Sequence, residues 1–139
     1  IKHCIKYLAL ASVEPRKKLY YINQDKAYQI HEIKDARQSL ELILELYLSG
    51  LKKPLTFLPN CFQKYYEQRK LKKPKEHEVA MGLAEQKWAY DSYNNAFADS
   101  ADNSFQVCFG KDFPYEDASL CFETVFDLVN ELGLVEAKL

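Results

Sequence analysis

The stretch Leu40 to Pro59, LELILELYLSGLKKPLTFLP, decides how the chain is read. Leu40, Ile43, Leu44, Tyr47, Leu48 and Leu51 recur at i, i+3, i+4 and i+7, the spacing that lays one apolar stripe along a helix. That stripe is expected to be buried. Gly50 sits where a helix C-cap tolerates positive φ, Leu51 can fold back onto the last turn, and Pro54 keeps the helix from resuming. Leu55, Phe57 and Leu58, held between Pro54 and Pro59, then read as a short extended run, because a proline biases the residue before it towards β or polyproline geometry.

Working outward, residues 2 to 12 predict a short helix with Ile5, Leu8 and Ala9 on its inner side. Leu19 to Asn23 and Ala27 to Ile33 alternate with period two around a turn near Asn23 to Lys26, the pattern of a β-hairpin. Asp35, three residues before Gln38, supplies an Asp form of the capping box for the long helix, and Asn60 with Gln63 repeats the device for a helix to about Arg69. A helix is expected from Glu76 to about Ala96, with Val79, Ala80, Leu83, Ala84 and Trp88 inward. Asp99 to Ser104 reads as a surface loop, and Phe105, Val107 and Phe109 fit either an extended strip or a helical turn. The last helix carries Ala118, Cys121, Phe122, Val125, Phe126, Val129 and Leu132 on one face, with Gly133 as its cap.

At 139 residues the chain is expected to form a single domain, residues 1–139, and its start at Ile1 with Met81 as the sole methionine suggests a piece of a larger subunit. Lys and Arg number 19 against 20 Asp and Glu, a net charge of −1, so no global field attracts nucleic acid and any DNA contact must be local. The apolar segment nearest the start is too short to span a membrane, which predicts a cytoplasmic protein. Cys4, Cys61, Cys108 and Cys121 lack any paired ligand spacing and read as reduced, mostly buried thiols. His3, His31 and His77 lie on three different elements, so no metal site is expected from them.

Four segments carry a resemblance. The order ELYLSGL, KPLTFLP, AMGLAEQKWAYDSYNN and DNSFQVCFGKDFPYEDASLCFETVFDLVNEL is similar to the C-terminal domain of the RecC (gamma) subunits of exodeoxyribonuclease V, the RecBCD helicase and nuclease. The resemblance implies an α/β (α+β) fold, a small sheet built on a β-hairpin and covered by about five helices, restriction-endonuclease-like but catalytically vacant. It implies a scaffold role in double-strand break repair and DNA end processing, beside RecB-like and RecD-like subunits and the DNA end. Mg and ATP would belong to those partner subunits, leaving no cofactor in this chain.

Two other readings stand beside it. Glu32 and Lys34 form an ExK at the end of the second strand, as in a PD-(D/E)xK nuclease, where a carboxylate pair holds Mg²⁺ and the lysine stabilises developing charge. The preceding strand, however, offers no acid, and Asp25 lies in the turn. An interaction module with no DNA role is the second. Arg69, Lys70, Lys72, Lys73 and Lys75 are the candidate DNA or partner contact, able to meet phosphates by counterion release, against the plainer reading of a solvated interhelix loop. Tyr20, Tyr21, Tyr65, Tyr66, Tyr90 and Tyr93 are candidate stacking platforms, more simply read as core edges.

Overall fold

A computed structural model describes residues 2–14, 19–22, 27–30, 35–89, 98–131 and 134–136. These residues are mostly helical: α1 (Lys2–Val13), α2 (Ala36–Lys52), α3 (Pro59–Arg69), α4 (His77–Glu85), α5 (Asn103–Phe109) and α6 (Tyr115–Glu131), with one 3-10 turn at Asp99–Ala101. Among the described residues, strands are confined to β1 (Leu19–Ile22), β2 (Ala27–Ile30) and β3 (Leu134–Glu136), which pair antiparallel in that order, Leu19 opposite Ile30 and Ile30 opposite Leu134. The expected α/β class, a restriction-endonuclease-like sheet covered by about five helices, is therefore overturned in favour of a helical fold. The physical reason lies in strand length. Segments of three or four residues are at or below the short end for strands, too short to supply the broad apolar face on which a helical layer would rest.

The chain divides into two compact units, residues 1–53 with 127–139, and residues 54–126. In the first, Leu8 and Ala11 of α1, Ala36 of α2 and Leu128 at the end of α6 form a small buried cluster, with Leu40 and Ile43 against it. Ala11, rather than the expected Ile5 and Ala9, completes the inner side of α1; Ile5 and Ala9 are exposed.

Helix α2 starts as the sequence predicts, for Asp35 is its N-cap and accepts a hydrogen bond from the Gln38 N–H at 2.9 Å. It ends later. Gly50 stays helical and the helix runs to Lys52, where Lys53, restrained by Pro54, turns extended and donates its N–H to the Ser49 carbonyl at 3.0 Å. The larger correction concerns its apolar stripe: Leu44, Tyr47, Leu48 and Leu51 are 55%, 60%, 46% and 66% exposed, and the buried positions are Ala36 and Ser39. Leu42 and Leu46 make this helix apolar round most of its circumference, so periodicity alone could not choose the packed face. Small residues chose it, because Ala36 and Ser39 offer little bulk to hold a neighbouring helix away. Leu44→Ala should accordingly cost less than about 1 kcal/mol in a denaturant titration, well under the roughly 2–5 kcal/mol of a core leucine. A loss in the core range would mean that Leu44 is covered.

The second unit holds the larger core: Leu58, Cys61 and Tyr65, then Ala80, Met81, Ala84 and Trp88, then Ala118, Cys121, Phe122 and Phe126. Pro59 occupies the first turn of α3, where its missing N–H costs nothing. The Asn60–Gln63 capping box is not formed; Leu58 is the N-cap position and its side chain caps nothing. Helix α4 stops at Glu85 instead of running to about Ala96: the Lys87 and Trp88 N–H groups turn back onto the Ala84 and Glu85 carbonyls. Val79, expected inward, is exposed, and Met81 takes its place in the core. Phe105, Val107 and Phe109 are helical, in α5, which Asp102 caps by accepting from the Ser104 N–H at 2.8 Å.

Candidate functional site

Two arrangements in residues 54–126 bring polar side chains together. The first is built on Asp99. In place of the expected surface loop, Asp99 and Ser100 are buried, Asp99 at 3% exposure. Backbone bonds fix them there, from the Asp99 N–H to the Lys87 carbonyl at 3.2 Å and from the Ser100 N–H to the Trp88 carbonyl at 3.1 Å. Held in that way, the Asp99 carboxylate faces the start of α3. One oxygen accepts from the Asn60 N–H at 3.1 Å and the Asn60 side-chain amide at 3.0 Å, and the other from the Cys61 N–H at 2.8 Å. A residue 39 positions away thus performs the capping that Asn60 was expected to perform, placing negative charge on the positive end of the helix. Burial, and then the Asp99 carboxylate, push the Cys61 thiol far above its ordinary range. Cys61 therefore stays a neutral packing group. Burial also raises the Cys121 thiol; of Cys61, Cys108 and Cys121, all free, only Cys108 is exposed, in line with the expectation of mostly buried thiols.

The second arrangement joins three helices. His77, at the start of α4, contacts the Tyr65 hydroxyl of α3 through Nδ1 at 2.9 Å and the Ser119 hydroxyl of α6 through Nε2 at 2.7 Å. The Tyr65 ring meets the imidazole edge-on, with centroids 5.6 Å apart. In outline this is a nucleophile, a base and an orienting group. The chemistry differs in the third position, because a neutral tyrosine hydroxyl cannot balance the positive charge of an imidazolium as a buried carboxylate does. Either neutral tautomer satisfies both contacts, one ring nitrogen accepting a hydroxyl proton while the other donates to a hydroxyl oxygen. Its work is to lock α3, α4 and α6 at a polar point beside the core. Neither arrangement was legible in the sequence, since the partners lie 12, 42 and 39 positions apart and no local spacing joins them.

The predicted basic contact falls at the C-terminal end of α3 and just beyond it. Its residues divide into two sets. The Arg69 guanidinium lies 5.0 Å from the centroid of the Phe126 ring and 5.8 Å from that of Tyr65, and the Lys70 ammonium lies 5.8 Å from that of Tyr66. Cations there also complement the negative end of the helix dipole. Lys72, Lys73 and Lys75 are exposed in the segment that follows, held back towards α3 by a bond from the Lys75 N–H to the Gln68 carbonyl at 3.2 Å. Among the stacking candidates Tyr65 is fully buried, Tyr66 is half-buried and Tyr20 is exposed.

Glu32, Lys34, Asp25, His31, Tyr90, Tyr93 and Gly133 lie outside the described residues. Among the described residues, no group of three His, Cys, Asp or Glu is placed to hold a metal ion, and no helix is long and apolar enough to cross a membrane. Set against models of known families, curated proteins and solved structures, the chain matches none.

Proposed function

We propose that this chain is a scaffold domain of a RecC-like subunit, serving a cytoplasmic helicase–nuclease in DNA end processing and double-strand break repair rather than cutting DNA itself. The observation that supports the reading is the convergence of resembling segments in one core. Leu58 of KPLTFLP, Ala80, Met81, Ala84 and Trp88 of the AMGLAEQKW segment, and Cys121, Phe122 and Phe126 of the final segment pack together. Three of the four resembling segments thus contribute mutually packed positions to the second unit, while ELYLSGL lies in the first. The proposal rests on that pattern and takes nothing from a nuclease-like sheet.

In this role the partners are RecB-like and RecD-like subunits and, through the assembly, the duplex end and its unwound strand. Mg and ATP chemistry would be theirs. The test is association: tagged chain, mixed with the RecB-like and RecD-like subunits of the same organism, is expected to co-purify with them in defined stoichiometry. Failure to associate with either, by a chain shown to be folded, would remove the reading.

DNA contact in this proposal is local and sequence-blind, through the exposed lysines after α3. Replacing Lys70, Lys72, Lys73 and Lys75 together by Gln is expected to weaken binding of a duplex end. It should also flatten the dependence of log K on log salt by up to about 3.6, or 0.9 for each of four phosphate contacts. Lys70, seated on the Tyr66 ring, should contribute least. Unchanged affinity and slope in the quadruple variant would strike these lysines from the DNA surface.

A further inference from the structure

We propose that the exposed stripe of α2 is a self-association surface on which a second copy of this chain docks its own α2 antiparallel. Leu44, Tyr47, Leu48 and Leu51 present large apolar side chains to solvent along roughly 10 Å of helix, at 1.5 Å per residue. The internally packed positions, Ala36, Ser39, Leu40 and Ile43, lie in the N-terminal half of the helix, whereas the stripe lies in its C-terminal half, and at about 100° per residue Leu44, Leu48 and Leu51 are also turned roughly 70° or more from the mean direction of those packed positions. A helix can therefore keep its internal neighbour and still accept a second helix alongside, as every helix of a four-helix bundle does.

The stripe is complementary to itself when reversed. A twofold axis through the point between Tyr47 and Leu48 sets Leu44 opposite Leu51 of the second copy and Tyr47 opposite its Leu48. The same axis brings like edges of the two helices together. The edge bordering the stripe carries Glu41 and Glu45 in its N-terminal half and Lys52 at its C-terminal end, all exposed. Reversal places the Glu45 carboxylate within about 3 Å, along the helix axis, of the level of Lys52 in the second copy, and does so twice. Glu41 is already engaged with Arg37 at 3.1 Å, which leaves Glu45 as the acid best placed for the cross pair. A parallel pairing, whose twofold axis runs along the helices, would instead carry Glu45 and Lys52 of the second copy to the opposite edge, where no such cross pair forms. Charge therefore selects the antiparallel arrangement and, with it, a second copy as occupant.

Area limits the strength. A stable interface buries about 800 Å² on each partner, more than four half-exposed side chains can supply, so the dimer should be weak and concentration-dependent. This inference stands apart from the scaffold reading and uses none of its DNA or subunit contacts.

Sedimentation equilibrium of the full chain, from low micromolar to several hundred micromolar, tests it. Reversible dimerisation is expected, and Leu44→Ser with Leu48→Ser should abolish it while circular dichroism stays unchanged, both positions being exposed. Glu45→Lys and Lys52→Glu should each weaken the dimer roughly tenfold by turning two attractions into two repulsions. The double variant Glu45→Lys/Lys52→Glu should recover it, and an equimolar mixture of the two single variants should form a heterodimer stronger than either homodimer. A monomer at every concentration, or a dimer indifferent to the leucine changes, overturns the surface. A dimer that loses affinity with the leucines yet ignores the charge swaps overturns the antiparallel docking.

Discussion

Phe122→Ala is expected to cost about 3–5 kcal/mol of stability, the range for emptying an aromatic site in a core. Phe122 is fully buried in the second unit, on the face of α6 that also carries Ala118, Cys121 and Phe126. Its ring meets Phe62 edge-on with centroids 5.5 Å apart and Tyr65 at 5.7 Å, so truncation removes two aromatic contacts together with the buried area. The cavity cannot be closed cheaply, because Tyr65 is itself held by His77 and cannot turn into the space without giving up that hydrogen bond. Chemical denaturation monitored by Trp88 fluorescence reports on this core, since Trp88 is buried in it and its indole N–H donates to the Lys111 carbonyl at 2.9 Å. A loss below about 1 kcal/mol would mean that α6 repacks, and that the aromatic cluster is not the main support of this unit. Phe122→Leu, which keeps most of the volume, should fall well short of the alanine loss.

Much of this core could be read from residue order alone, and the limits of that reading have a physical pattern. The face of α6, the inward side of α4 at Ala80, Ala84 and Trp88, the start of α3 at Pro59 and the Asp35 cap all follow from local rules: a period of 3.6, a proline in the first turn, a carboxylate three residues before a free N–H. Where two local solutions competed, the sequence could not choose. Leu44, Tyr47, Leu48 and Leu51 satisfy the same amphipathic template as a buried stripe, yet the packed side belongs to Ala36 and Ser39. Gly50 suited a C-cap, but Pro54 alone stopped the helix. The small extent of the sheet was not legible, because period-two alternation marks a strand without saying how many strands will join it or how long they will be. The polar arrangements were not legible at all. Tyr65, His77 and Ser119 belong to three helices, and their meeting is a property of packing rather than of spacing.

The Asp99 cap shows the same limit and carries the second large effect. Asp99→Ala is expected to cost about 2–4 kcal/mol. An ordinary N-cap is worth roughly 0.5–2 kcal/mol, and hydrogen bonds to a charged group about 1.5–3. Here one buried carboxylate serves the backbone N–H groups of Asn60 and Cys61 and the Asn60 side chain together. Its removal leaves two donors at the start of α3 without their acceptor, in a place where Cys61 is fully buried and water has little access. Asn60→Ala makes the contrast. It deletes only the side-chain bond, leaves both backbone donors on the carboxylate, and should cost under about 1 kcal/mol. Asp99→Asn, of nearly the same shape, should fall between them, since one of its two polar atoms becomes a donor facing a donor. Hydrogen exchange adds a local reading: in Asp99→Ala the amides of Asn60 and Cys61 should lose protection, while those in the middle of α6 fall only by the global loss. Equal costs for Asp99→Ala and Asn60→Ala would show that the carboxylate does no more than an ordinary surface cap, and that the seating of Asp99 and Ser100 against Lys87 and Trp88 is maintained by their backbone bonds alone.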